Sequence, residues 1–164
     1  MASQIEGAQN FKGAVTLSSV NLPNECVENR HVEAGAAIDS DKLEHQHRAV
    51  WAQPNTAATD ETRVIHVVHG TTGEVIAFVA GSIAKAVGDA TCTVDLKKNG
   101  TTVLTAPITL DSGNTNRVVE AGTLSGTVTL AAGDVLEVVI DGTIGTGTLP
   151  TGVFCAATIK EDAQ

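Results

Sequence analysis

From Thr62 to its end the chain is a series of short runs of Val, Ile, Leu, Ala and Thr, each about the length of a β-strand and punctuated by Gly-containing turns. No other feature restricts the fold as much. In residues 91–97, Cys92, Val94 and Leu96 alternate with Thr91, Thr93, Asp95 and Lys97, which gives one strand an apolar face and a wet face. Asn99-Gly100 follows. A two-residue type I′ turn needs positive φ at both central positions, which Asn and Gly tolerate, so residues 101–105 are expected to return beside that strand.

The same reasoning places further strands along the module. Residues 63–69 and 74–80 read as two aliphatic strands, with Gly70-Thr71-Thr72-Gly73 between them as a hairpin loop. Pro107 cannot donate an amide, so 108–110 is either a new strand or an edge segment. Residues 111–114 form a loop, and strands are expected at 117–120, 126–130, 135–140 and 152–160, with Ala132-Gly133-Asp134 as a turn. About eight short strands without a helical pattern predict an all-β fold, an antiparallel β-sandwich of jelly-roll type.

Residues 1–60 carry little sustained periodicity and are expected to form an extended N-terminal arm, leaving 61–164 as the sandwich domain. Within the arm, Val15, Leu17, Val20 and Leu22 are aliphatic points that end at Pro23, which suits an extended segment docked on another subunit. Asp41 followed by Glu44 resembles a capping pair, which predicts a short helix through Trp51 that stops before Pro54. On such a helix His47 and Trp51 would share a face and His45 would point elsewhere.

Composition narrows the function classes. A formal charge of −9, with only Lys97-Lys98 adjacent among ten basic residues, opposes a nucleic-acid surface, because binding phosphate needs clustered Lys and Arg. That pair flanks a turn, where solvated charge is the ordinary expectation. The N-terminal residues lack the charged and apolar regions of a signal peptide, and no stretch of about 18 uninterrupted apolar residues occurs, so a cytosolic, membrane-free protein is expected. Cys26, Cys92 and Cys155 are far apart and in no metal-like spacing, and read as small buried hydrophobes. Aromatic residues are only 2% of the chain, so the core must rest on small aliphatic contacts, and a subunit interface would add burial.

Chemistry-bearing groups are sparse. His66 and His69 lie three apart and would face opposite sides of a strand unless a bulge intervened, so one is expected to pack and the other to sit exposed near the turn. His45 and His47 would share a side if their segment were extended, and a polar layer around a symmetry axis is a commoner use for them than metal binding or pH sensing. Asp95, Asp134 and Asp141 occupy strand edges and turns where Asp is common. No Gly-x-Ser-x-Gly elbow and no tyrosine occur, and Gly142, Gly145 and Gly147 are not followed by a helical pattern. No catalytic residue, metal or cofactor is expected, and the chain reads as a non-enzyme.

The leader sequence Val32-Glu33-Ala34-Gly35-Ala36-Ala37-Ile38-Asp39-Ser40-Asp41-Lys42-Leu43-Glu44-His45-Gln46-His47, combined with Val94-Asp95-Leu96-Lys97-Lys98-Asn99-Gly100 and Ala132-Gly133-Asp134-Val135-Leu136-Glu137-Val138, resembles tailed-phage virion proteins, notably capsid decoration (cement) and head-fibre proteins. The resemblance spans most of the chain. It implies a homotrimer on the outer surface of the capsid, made in the host cytoplasm, whose arms clamp major capsid protein subunits without touching the genome directly. Val15, Leu17, Val20 and Leu22 would then bind the capsid, and Val32, Ile38, Leu43, His45, His47 and Trp51 would make trimer contacts. Two other readings stay open: a fibre or adhesion module that binds a host surface polymer through loops 111–114 and 141–148, and a small metal-dependent hydrolase using His45, His47, His66 or His69.

Overall fold

The computed structural model describes residues 44–70 and 72–162, with the side chains of Glu44, His45 and Asp162 left out of the description. Ten strands occur in this order: β1 (Glu44–Ala52), β2 (Glu61–Val67), β3 (Thr72–Ala84), β4 (Thr91–Lys98), β5 (Thr101–Thr102), β6 (Ile108–Leu110), β7 (Val119–Gly122), β8 (Val128–Ala131), β9 (Val135–Thr143) and β10 (Thr151–Asp162). All pairings are antiparallel. One sheet runs β1-β10-β3, with β7 and β8 both on the far side of β3. The other runs β2-β9-β4, with β5 and β6 both on the far side of β4. With β5/β6 and β7/β8 each taken as one interrupted strand, successive strands alternate between the sheets except at β4 and β5/β6, which pair as neighbours in one sheet, and this is the order of a jelly roll.

The inner faces supply the core expected from the alternation. Val94 and Leu96 on β4, Leu136, Val138 and Ile140 on β9, and Val75 and Phe78 on β3 are all buried. A bulge decides the last pair. Thr158 pairs with Ala77 but Ile159 pairs with Val75, so Ile76 is the extra residue, and Val75 and Phe78 can both face inward although they are three apart. Asp95, between Val94 and Leu96, is buried, and the Thr102 hydroxyl donates to its Oδ1 at 2.6 Å. The two described cysteines, Cys92 and Cys155, are buried and free, and burial pushes both thiols up to about 12. Cys26 lies outside the described residues.

The Asn99-Gly100 hairpin forms as expected, with φ of 49° and 81° at its two residues and Lys97 paired with Thr102. The returning strand then breaks at Val103, and 108–110 rejoins β4 as β6. At the break, Leu104 bridges Leu124, and the Thr105 and Ser125 amides donate to Thr123 O at 2.8 Å and Val103 O at 2.9 Å. One edge of the sandwich is therefore stitched by backbone hydrogen bonds.

Three expectations are corrected. The helix expected through Trp51 is β1: each residue from Glu44 to Ala52 has a partner on β10, from Glu44↔Asp162 to Ala52↔Phe154. A capping signal contributes roughly 1 kcal/mol, too little to outweigh a ladder of nine residues that also buries Ala49. Asp41 lies outside the described residues. The β2–β3 hairpin does not exist either, because β2 pairs with β9 and β3 with β10, in different sheets. Val68 directs the crossing: it is buried, its amide donates to Asp134 O at 2.8 Å, and its carbonyl accepts from the Gly133 amide at 2.9 Å, so the chain docks on the 132–134 turn instead of reversing.

The domain boundary also moves. β1 is part of the sandwich, so the β-domain begins by Glu44 and not at residue 61. The connection 53–60, read as a polar spacer, is held in place: the buried Gln53 side chain donates to Thr59 O at 2.6 Å and accepts from the Thr59 amide at 3.2 Å, while the Ala58 amide donates to Pro150 O. The arm residues Val15, Leu17, Val20 and Leu22, and the contacts assigned to Val32, Ile38 and Leu43, lie outside the described residues.

Candidate functional site

Two features of the sandwich are not explained by folding alone. The first is the outer face of the β1-β10-β3-β7 sheet. Alternation should make this face polar, yet Val50, Ala77, Val79, Val119, Phe154 and Ala156 line a groove of about 630 Å³ on it. Val50 is 68% exposed and Val119 46%. Trp51 contributes to the groove wall and also packs against the core. Contiguous apolar surface of this kind marks an interaction site more often than isolated exposed residues do. The sequence hinted at it, since Phe154 and Ala156 stand where an exposed face would take Thr or Lys.

The second feature lies at the edge opposite the Leu104–Leu124 stitch. There β1 and β2, the outermost strands of the two sheets, come into contact. Three side chains meet at this edge: His47 of β1, His66 of β2 and Glu161 of β10, each partly buried, with one potential ligand atom apiece, all within 4.8 Å of one another. The imidazoles of His47 and His66 lie with centroids 4.9 Å apart and ring planes at 55°. His66 Nε2 contacts Glu161 Oε1.

Backbone register brings these groups together. His47 shares its side of β1 with buried Ala49. Glu161 occupies the same side of β10 as buried Ala157 and Ile159. On β2 the register shifts between Val64 and His66, so His66 is placed opposite the buried Leu136 and turns to the inner face. Gly73, the β3 partner of Glu161, leaves space beside it: a Cβ there would meet Lys160 O at 2.6 Å and Glu161 Cγ at 3.2 Å.

Sequence reasoning weighed His45 with His47 and His66 with His69, each pair within one segment. The structure instead joins one histidine from each pair and adds Glu161. His69 is exposed beyond β2, as expected of one member of its pair. The bulge was the one circumstance allowed to defeat the strand geometry, and it directs His66 toward His47 and not toward His69. Asp95, Asp134 and Asp141 do not converge: Asp95 binds Thr102, and Asp134 closes the turn before β9.

Polar groups of the loops considered for polymer binding are engaged within the protein. The Asp111 amide donates to Asn114 Oδ1, the Gly113 amide to Asp111 Oδ1 at 2.7 Å, and Lys85 Nζ to Ser112 O at 2.7 Å. In the second loop Asp89 Oδ1 accepts from the Thr146 amide at 2.7 Å and its hydroxyl at 3.0 Å.

No family model and no curated protein matches the chain. Among solved structures it is similar to a chain of one described as "Structure of infectious bursal disease virus Gx strain", at 14% identity and a TM-score of 0.32. The match covers 90% of this chain and 38% of that one. A likeness at that level carries no weight for either fold or role.

Proposed function

We propose that the chain is a structural virion protein, without enzymatic activity, that decorates and cements a tailed-phage capsid as a homotrimer on its outer surface. The observation that carries this reading is the apolar outer face of the β1-β10-β3-β7 sheet, with Val50 and Val119 exposed beside Phe154 and Ala156. A subunit that works alone gains nothing from such a face, whereas one that packs against copies of itself buries it. The resemblance of residues 32–47, 94–100 and 132–138 to phage decoration and head-fibre proteins supplies the setting, and the engagement of loop polar groups by Asp111 and Asp89 favours a packing role over polymer recognition.

In this reading the residues before Glu44 bind major capsid protein, with Val15, Leu17, Val20 and Leu22 as the contact points. The sandwich forms the knob, and Trp51 lies at the trimer contact. His47 faces His66 inside its own subunit, so the trimer is not ascribed to a ring of that side chain. The test removes residues 1–43, which leaves every described strand intact, and measures sedimentation with the cognate capsids and the temperature at which they release DNA. Full-length protein is expected to co-sediment and raise that temperature, and the truncated chain to do neither. Attachment by the truncated chain would refute the docking arm.

A further inference from the structure

We infer that His47, His66 and Glu161 form a zinc-binding clasp that ties the two sheets together at the edge where no backbone ladder joins them.

An unpartnered buried nitrogen and the donors clustered around its ring point to a ligand here. His47 Nε2 is a buried polar atom with no hydrogen-bond partner, the only such side-chain atom among the described residues. Burying an imidazole nitrogen without a partner costs free energy, and native structures rarely leave one in that state without a reason. The imidazole that carries this nitrogen does not face an apolar wall: it belongs to a cluster whose other members are an imidazole and a carboxylate. And the cluster depends on a register shift in β2, without which His66 would not stand opposite Leu136.

The donor set selects the cation. Two imidazole nitrogens and one carboxylate oxygen suit a borderline first-row divalent ion, whereas Mg²⁺ and Ca²⁺ prefer all-oxygen sites. Zinc bonds to nitrogen and oxygen at about 2.0–2.2 Å, so the ligand atoms of a tetrahedral site lie roughly 3.3 to 3.5 Å apart. A triad within 4.8 Å therefore reaches that geometry through small side-chain rotations on fixed strands. Three protein ligands leave one position for water, and the cation would balance the Glu161 carboxylate while giving the His47 imidazole a partner.

The position explains what such an ion would do. The far edge is closed by the Leu104 bridge to Leu124 and its flanking amides. At the near edge, among the described residues, β1 pairs only with β10 and β2 only with β9; the 53–60 connection joins the two strands at one end, and at the other end, where His47 and His66 stand, side chains meet without a backbone ladder between the sheets. A metal bound to β1, β2 and β10 together would link both sheets and hold the strand nearest the arm. This inference does not depend on the virion reading, and either can fail without the other.

The experiment uses the full chain stripped with chelator and titrated with ZnCl₂ by calorimetry, alongside thermal melts and the visible spectrum of the Co²⁺-loaded protein. One zinc per chain is expected, with a higher melting temperature and the intense visible absorption of tetrahedral cobalt. His47→Gln, His66→Gln and the near-isosteric Glu161→Gln should each weaken binding by more than the 10- to 100-fold typical of losing a supporting outer-shell group. His45→Gln and His69→Gln should leave it unchanged. Absence of zinc binding by the folded wild-type chain would overturn the clasp. So would binding that survives all three substitutions at the triad, or that is lost with His45 or His69 instead.

Discussion

Asn99 and Asp134 lock two turns from different parts of the chain together: the Asn99 side-chain amide donates to Asp134 Oδ1 at 2.7 Å, and Asn99 Oδ1 accepts from the Val135 amide at 2.8 Å. Asp134 Oδ2 also accepts from the Ala131 amide at 2.9 Å and lies 3.2 Å from Lys98 Nζ. The hairpin after β4 and the turn before β9 therefore behave as one unit. Gly100→Ala should destabilise the fold by about 1–2 kcal/mol through its left-handed backbone alone, since φ there is +81° and a Cβ would meet nothing within 4 Å. Asn99→Gly keeps the turn and loses the side-chain links, so a urea melt on both variants separates the two effects.

Acid should expose the same network. The Ala131 amide, then the Asn99 amide, hold the Asp134 carboxyl below its ordinary 3.8, and the Thr146 amide and hydroxyl do the same for Asp89. A carboxyl whose folded pKa is depressed contributes stability that is fully present above the unfolded value and is lost as pH falls through the folded one. Melting temperatures measured from about pH 5 down to about pH 2 should therefore fall below the ordinary carboxylate pKa. Asp134→Asn and Asp89→Asn should each flatten part of that decline by lowering the melting temperature near neutral pH more than at the acid end.

Buried thiols give a third expectation. Cys92 and Cys155 are buried and their thiols are pushed up to about 12, so neither supplies thiolate near neutral pH. In a Cys26→Ser background, native protein should resist iodoacetamide, and both remaining thiols should react once the chain is unfolded. Rapid labelling of the native protein would mean that the core opens readily.

Phe78 is among the largest fully buried side chains and stands on the face of β3 that meets the second sheet. Phe78→Ala should cost about 3–5 kcal/mol, a large part of the roughly 5–15 kcal/mol that holds such a domain together. Urea unfolding read by circular dichroism measures it. Phe154→Ala, on the outer groove, should cost the isolated subunit far less and act on assembly instead.

The parts of the fold legible in the sequence are the local ones. Alternation in β4 and β9 and the chemistry of Asn99-Gly100 predict strands, faces and a turn, because each depends on neighbours within a few residues. β1 was not legible: its partner is β10, at the far end of the chain, and a weak capping signal pointed to a helix instead. The crossing at Val68 was hidden for the same reason, since its hydrogen bonds go to Gly133 and Asp134. The His47–His66–Glu161 cluster needs three distant strands and a register shift at His66, so no spacing within one segment could reveal it. The apolar outer face was partly legible, in Phe154 and Ala156, once the strand's inward residues were known.

Solution mass tests the central claim most directly. Sedimentation equilibrium of the full chain at micromolar concentration should give three times the 16.8 kDa chain mass, and Val50→Asp combined with Val119→Asp should return it to one chain mass with the fold intact. A wild-type chain that sediments as a single 16.8 kDa species, with the apolar face left in water, would contradict the account.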